Sequence, residues 1–276
     1  MELKMAKTAK ASKAAIYNIE ETIKSLMLID FVQIMASKID GDRNRAAKTL
    51  AKIEPEKYAY DDSTSIYKDH LQQHEPNFAG TMYVKSIDSL NYYLSAILTE
   101  VFQSNPIMLK DKSQISLETV LSFPDLKKLH NHIVHQKIQS LFYKNTNAIF
   151  IELGDKWGIK PLDEEKIKYI SDCNQIRNII VHNSGKINDL FRKRISAPEK
   201  YKDLEYINFT FNDAKEELEK HVNIVSQMDR YLIKKFPIKT NPIPVRAISK
   251  RWIDVPPFKL PSVRGNGKKP TTKQRK

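Results

Sequence analysis

The stretch RNIIVHNSG at residues 177–185 places an arginine, an asparagine and a histidine around three β-branched apolar residues, and then ends in Asn-Ser-Gly. Upstream, isoleucines recur at helical intervals behind Asp163, a residue suited to capping a helix N-terminus. Asn183-Ser184-Gly185 is a helix stop signal. The pattern predicts one helix from Asp163 to this stop, with Arg177 and His182 near its C-terminal end.

The polar residues of this stretch are the groups that a metal-free ribonuclease needs. Arg177 carries a permanently charged fork that suits a phosphate. The imidazole of His182 can give or take a proton, and Asn178 can orient either residue. In such a reaction one group takes the proton of the ribose 2′-OH, one stabilises charge on the phosphorus oxygens, and one helps the 5′-oxygen leave. The alternative is a chance pairing of an arginine and a histidine on one helix.

Helix geometry separates the two principal residues. The five positions from Arg177 to His182 rotate by about 500° on an ideal helix, so the side chains lie roughly 140° apart with a rise of about 7.5 Å. They therefore do not share one helix face. Either the helix loosens at His182, or a second chain completes the site.

These residues carry a family resemblance. Arg177 and Asn178, then three residues and His182 near the end of a long helix, resemble the motif of the HEPN superfamily, the "higher eukaryotes and prokaryotes nucleotide-binding" domains. That motif is an arginine, four to six residues and a histidine, often with a polar residue directly after the arginine; here the spacing is the shortest. The resemblance is expected to cover residues 79–236.

The resemblance implies an all-α bundle that dimerises through its motif helices, so that two Arg/His sets meet in one cleft. Many such domains are metal-independent endoribonucleases of bacterial toxin–antitoxin and anti-phage systems. It implies that Arg177 stabilises the scissile phosphate, that His182 is the acid or base, and that Asn178 orients one of them. The expected products are a 2′,3′-cyclic phosphate and a 5′-hydroxyl, with no cofactor or metal.

The expected setting is a cytoplasmic homodimer that acts on RNA as a toxin or defence component, with an antitoxin or another defence protein as a possible partner. Other members of the superfamily have lost catalysis. The alternative is therefore a catalytically silent RNA-binding or protein-assembly module with the same fold.

The rest of the chain is predicted to be mostly helical. Gly is scarce and apolar residues recur at helical spacing. The stretch EYINFTF alternates Ile207, Phe209 and Phe211, which predicts a short strand or hairpin arm. Three regions follow: an N-terminal helical segment packing on the core (1–78), the HEPN-like domain (79–236) and an extended or disordered, Pro-containing basic tail (237–276). Helices are predicted over residues 14–39, 79–104, from about 123 towards 153, and 213–235.

The formal net charge is +13, and most of the excess lies in the two ends, with +3 in residues 1–14 and +7 in residues 255–276. Such ends attract polyanions, or are solvated appendages. Four further cations follow the motif and are candidates for RNA phosphate contacts, with a solvated loop as the alternative: Lys186, Arg192, Lys193 and Arg194.

The single cysteine, Cys173, excludes an intrachain disulfide and a zinc site built from cysteines, and is expected to be a small buried thiol. The histidines at 130, 132 and 135 are spaced so that two could share a helix face, but solvent exposure is favoured over metal binding. The sequence shows neither a run of about 18 apolar residues nor a secretory signal, so no membrane partner is expected.

Overall fold

The computed structural model describes residues 6–54, 66–110, 114–238 and 240–243. Most of them are helical, which confirms the all-α prediction. The helices are α1 Lys10–Ile53, α2 Ile66–Ser104, α3 Leu117–Leu121, α4 Leu126–Phe142, α5 Thr146–Trp157, α6 Glu164–Asn183, α7 Asp189–Arg194 and α8 Phe211–Lys235. Two four-residue strands, β1 Ala6–Ala9 and β2 Thr240–Ile243, are hydrogen-bonded to each other.

Thr8–Asn241 form one compact unit. A second unit joins Met1–Lys7 with Pro242–Lys276, and of it the structure describes only residues 6–7 and 242–243. The predicted basic tail therefore lies almost wholly outside the described residues. The region boundaries at 78 and 236 stay predictions.

The central element is α2, which packs against α1, α4, α6 and α8. Because α2 has neighbours on several sides, residues on more than one of its faces are buried. Ile87, Leu94 and Leu98, which recur at helical spacing within the predicted helix 79–104, are buried, and Tyr83, Leu90 and Tyr93 are buried with them. Burying this much apolar surface is the main stabilising contribution to the bundle.

Several predicted elements differ from the structure. The helices α1 and α2 are longer than the predicted helices 14–39 and 79–104. The long third helix is two helices: α4 ends at Phe142, and Asn145 caps the start of α5 by accepting a hydrogen bond from the Ala148 amide at 2.8 Å. The predicted strand in EYINFTF is only an isolated antiparallel bridge between Lys186 and Tyr206. Here α8 begins at Phe211, since Thr210 and Asp213 form its capping box, earlier than the predicted start at 213.

The motif helix α6 begins and ends as the sequence predicts. Asp163 caps it by accepting a hydrogen bond from the Lys166 amide at 2.9 Å. It ends at Asn183, where Ser184 adopts a left-handed conformation with φ 50°. Arg177 pairs with Asp88 and Asn174 with Asn91, so α6 runs antiparallel to α2. This contact fixes the motif residues against the central helix of the bundle.

Candidate functional site

Arg177 and His182 lie on one regular helix. Because α6 stays helical through Asn183, it does not loosen at His182. The rotation of roughly 140° that an ideal helix predicts between the two side chains therefore applies. The structure therefore excludes a helix that loosens at His182 within this chain. A site completed by a second chain is the arrangement that remains.

The guanidinium of Arg177 is held on one edge. Its Nε donates to Asp88 Oδ1 at 3.1 Å, and its Nη1 donates to Asn178 Oδ1 at 3.3 Å. The Arg177 side chain is 26% exposed. The bond to Asp88 occupies the Nε edge, so the terminal nitrogens remain the part of the fork that can approach a phosphate.

Asn178 and His182 are exposed. The apolar residues between them divide by burial, since Ile176 and Ile179 are buried in the core whereas Val181 is 46% exposed. Ile180 is half-buried and packs near Gly80 of α2. One side of α6 therefore supports the fold, and the other presents Asn178, Val181 and His182 to solvent. We call these three residues the motif face.

The turn after α6 is held by its own hydrogen bonds. The Gly185 amide donates to the Ile179 carbonyl at 3.0 Å, and the Asn183 side-chain amide donates to the Lys186 carbonyl. The Ile207 amide then donates to the Gly185 carbonyl at 2.9 Å. These bonds fix the chain directly after His182.

The four cations after the motif have different environments. Lys193 is exposed, and Lys186 is exposed with Glu205 3.7 Å from its ammonium. Arg192 is half-buried, and its Nη2 donates to the Leu204 carbonyl at 3.0 Å, so it stabilises the loop. Arg194 lines a cavity of about 550 Å³ between α5 and α6. As a candidate RNA contact, Arg192 is therefore the weakest of the four.

A second group of polar side chains lies deeper, between α2, α6 and α8. It contains Cys173 and Tyr169 of α6, Glu217 and His221 of α8, and Ser86 of α2. Its imidazole is at the centre: His221 Nδ1 is 2.7 Å from Ser86 Oγ, and His221 Nε2 is 3.2 Å from Tyr169 Oη and 3.7 Å from Cys173 Sγ. We call Cys173, Glu217 and His221 the α6–α8 cluster.

The hydrogen bonds allow two tautomers of His221. In one, Ser86 Oγ donates to the Tyr83 carbonyl at 2.9 Å and accepts from His221 Nδ1–H, so that Nε2 keeps its lone pair. In the other, Ser86 Oγ donates to Nδ1, and Nε2–H donates to Tyr169 Oη. The Tyr169 hydroxyl proton goes to Glu217 Oε2 at 2.5 Å, because a carboxylate can only accept.

Burial keeps the thiol and the imidazole uncharged. It raises the pKa of Cys173 to about 12 and lowers the pKa of His221 to about 4. Cys173 is 1% exposed, which confirms the expected buried thiol. A cavity of about 450 Å³ opens next to this group, and its walls include Tyr83, Tyr169, Cys173 and Glu217.

Sequence reasoning did not find this cluster, because Cys173 and Glu217 are 44 positions apart and only packing of α6 on α8 joins them. One signal was present: His221 lies in the apolar stripe formed by Leu218, Val222 and Val225, where a buried histidine needs polar partners. The histidines at 130, 132 and 135 do not join a group of three metal-binding side chains among the described residues.

Comparison with models of known families, with curated proteins and with solved structures gives no significant match. Within the described residues, none of the helices is both long and apolar enough to cross a membrane.

Proposed function

We propose that this protein is a HEPN-like, metal-independent endoribonuclease whose site is formed by Arg177, Asn178 and His182. The observation that carries the proposal is the placement of these residues at the end of α6, with Asn178 and His182 exposed and Arg177 held by Asp88. A phosphate-binding fork and a titratable imidazole at an accessible helix end are the groups needed for attack by the ribose 2′-OH.

In the proposed reaction, His182 exchanges a proton with the reacting oxygens, and Arg177 stabilises the charge on the scissile phosphate. Asn178 accepts from Arg177 Nη1 and so orients the fork. The 2′-oxygen forms a bond to phosphorus as the 5′-oxygen leaves with a proton, which gives a 2′,3′-cyclic phosphate and a 5′-hydroxyl. The two principal groups diverge around α6, and a homodimer through the motif face brings a second set to the same RNA.

One observation favours the alternative of a silent RNA-binding or assembly module. A carboxylate, Asp88, already pairs with Arg177, and its negative charge opposes a phosphate at that edge of the fork. In such a module, Arg177 would serve packing of α6 on α2 rather than catalysis.

Incubation of the purified protein with total RNA in EDTA separates the two functions. The nuclease requires cleavage with cyclic phosphate ends, lost in both Arg177→Ala and His182→Ala. Matched controls are Arg230→Ala and His135→Ala, an exposed arginine and an exposed histidine on other helices. Thermal midpoints of the motif variants should stay close to wild type, since neither the exposed His182 nor the solvent-accessible Arg177–Asp88 pair adds much stability. RNA binding without products would favour the module.

A further inference from the structure

The α6–α8 cluster has the donor set of a transition-metal site. Cys173 Sγ, His221 Nε2 and a Glu217 carboxylate oxygen all lie within 4.8 Å of one another. Two ligands of a tetrahedral zinc ion, a sulfur at about 2.3 Å and a nitrogen at about 2.0 Å, are separated by about 3.5 Å. The observed Sγ to Nε2 distance of 3.7 Å is close to that separation.

The imidazole can act as a ligand. In the tautomer with the proton on Nδ1, Nδ1–H donates to Ser86 Oγ and the Nε2 lone pair faces Cys173 and Tyr169. A metal-binding histidine characteristically donates its other N–H to a fixed acceptor in this way. Tyr169 Oη lies 3.2 Å from His221 Nε2, so a cation bound to Nε2 would also lie close to this oxygen.

The Tyr83 hydroxyl lies next to the same position. Tyr83 is 1% exposed, lines the adjoining cavity and interacts with the Cys173 thiol. A neutral thiol is a weak acceptor, whereas a metal-bound thiolate is a strong one. Tyr83 O–H is placed to donate to Cys173 Sγ once the thiol proton has been replaced by a metal.

We propose that Cys173, His221 and Glu217 bind one Zn²⁺ ion, with Tyr169 Oη or a small ligand from the cavity in the fourth position. Sulfur and imidazole donors select a borderline metal such as zinc over Mg²⁺ or Ca²⁺. On binding, Sγ exchanges its proton for a bond to the metal, and the proton leaves to solvent. The sequence predicts no metal, and its single cysteine excludes a zinc site built from cysteines; this mixed set requires only one cysteine.

A catalytic thiol with His221 as its base fits the cluster less well. Glu217 lies near the sulfur, and a carboxylate opposes formation of a thiolate unless a cation lies between them. Cys173 and His221 are 1% and 0% exposed, so the sulfur and its would-be base present little surface to a substrate carbonyl. Both facts favour a bound cation over a nucleophile.

The first experiment uses the whole chain, stripped with a chelator and kept reduced. Zn²⁺ should bind with one ion per chain, and Co²⁺ in its place should give a sulfur-to-cobalt charge-transfer band. Zn²⁺ should also protect Cys173 from alkylation under partly denaturing conditions. Absence of binding, or binding without the charge-transfer band, overturns the proposal.

Variants locate the ion. Cys173→Ser and Glu217→Gln should weaken Zn²⁺ binding by more than about 100-fold, beyond the roughly 10–100-fold loss typical of a hydrogen-bond partner behind a ligand. Glu216→Gln, an exposed neighbour, should bind as wild type. Tyr83→Phe should weaken binding by about tenfold, whereas Tyr93→Phe, a buried tyrosine on the same helix, should not. Undiminished affinity in folded Glu217→Gln contradicts the site.

The metal proposal is independent of RNA cleavage. If Cys173→Ser fails to fold, two measurements still test the metal site: the Co²⁺ spectrum of the wild type, and the Zn²⁺ affinity of Glu217→Gln compared with that of Glu216→Gln. If cleavage in EDTA fails while Zn²⁺ binds, the proposed nuclease is wrong and the metal site stands.

Discussion

Asp88 is a residue whose contact with Arg177 the sequence did not suggest and the structure shows. It reaches Arg177 from α2 and bonds Nε, so it determines where the terminal nitrogens of the fork point. The Asp88 side chain is 51% exposed, so the pair adds little to stability. Its contribution is therefore expected in the orientation of Arg177.

Asp88→Asn tests this orientation. If Asp88 positions Arg177 for phosphate contact, kcat for RNA cleavage should fall about tenfold or more, because small misplacements of a catalytic group are costly. RNA affinity should not weaken, since a negative charge has been removed. Asp203→Asn, an exposed carboxylate elsewhere, is the control. A kcat equal to that of wild type would show that Asp88 does not orient Arg177 for catalysis. A kcat above that of wild type would show that Asp88 restrains the site.

Glu152 provides a pH prediction away from both sites. Burial would raise its pKa, but hydrogen bonds from Lys144 and Lys156 outweigh burial and lower it from 4.5 to about 2. Between pH 4.5 and pH 2, Glu152 binds a proton more readily in the unfolded chain than in the folded chain. The stability that ionised Glu152 contributes is therefore present above pH 4.5 and is lost as the pH falls towards 2. The full effect is up to about 3 kcal/mol.

Urea unfolding between pH 7 and pH 3 measures this effect. Glu152→Gln should be less stable than wild type at pH 7, by about 1–3 kcal/mol, and its stability should decline less on acidification. Glu118→Gln, an exposed acid on α3, should keep the wild-type pH dependence. Parallel pH profiles for Glu152→Gln and wild type would exclude this role.

At the scale of elements, α6 serves the fold and the site at once. Its buried side supplies Cys173, Ile176 and Ile179 to the core, and its motif face remains exposed. The helix ends abruptly because Ser184 and Gly185 both adopt positive φ, 50° and 79°. The geometry of this turn fixes how far His182 is from the loop that leads to α7.

Gly185→Ala tests the turn. Its φ is 79°, and an added Cβ would lie 3.3 Å from the Ile207 carbonyl oxygen, so the variant should lose about 1–3 kcal/mol of unfolding free energy. Gly41→Ala is the matched control: Gly41 lies within α1 with no atom within 4 Å of such a Cβ, and it should gain about 0.5–1 kcal/mol. Equal effects in chemical denaturation would refute the turn argument.

At the scale of the whole molecule, the division of α6 into two sides bears on assembly. The motif face carries an exposed apolar residue, Val181, between two polar motif residues. An isologous dimer would bury this residue and place two motif sets in one cleft. The dimer is part of the proposed function and has its own tests.

Mixing Arg177→Ala with His182→Ala tests a composite site. A mixed dimer whose site draws on both chains retains one complete set of groups, so a quarter to a half of wild-type activity should return. Val181→Glu should dissociate the dimer and reduce activity per chain, whereas Leu126→Glu, an 81% exposed leucine on α4, should do neither. Full activity in a demonstrably monomeric preparation, with no recovery on mixing, would exclude the dimer cleft.

Deletion of residues 262–276 tests the basic C-terminal end, which lies outside the described residues. It removes six cations: Arg264, Lys268, Lys269, Lys273, Arg275 and Lys276. If they contact RNA, the slope of log affinity against log salt should become shallower by about 0.7 for each lost contact with a single strand. An unchanged slope in a salt titration would identify a solvated appendage.

Local chemistry in the sequence determined much of the fold. The all-α class followed from apolar spacing and scarce glycine, and both ends of α6 followed from Asp163 and from Asn183-Ser184-Gly185. Caps and stops are predictable because they involve neighbouring residues. The break between α4 and α5 was missed although Asn145 marks it, since apolar periodicity continues across the break.

Only the tertiary structure decided which distant side chains meet. Packing of α2 on α6 pairs Asp88 with Arg177, 89 positions apart in sequence. Packing of α8 on α6 joins Cys173 to His221, 48 positions apart. EYINFTF has strand periodicity but forms a single bridge, because a strand requires a partner that local sequence does not specify. The sequence determined the motif residues and the helix that carries them, and long-range packing determined their partners.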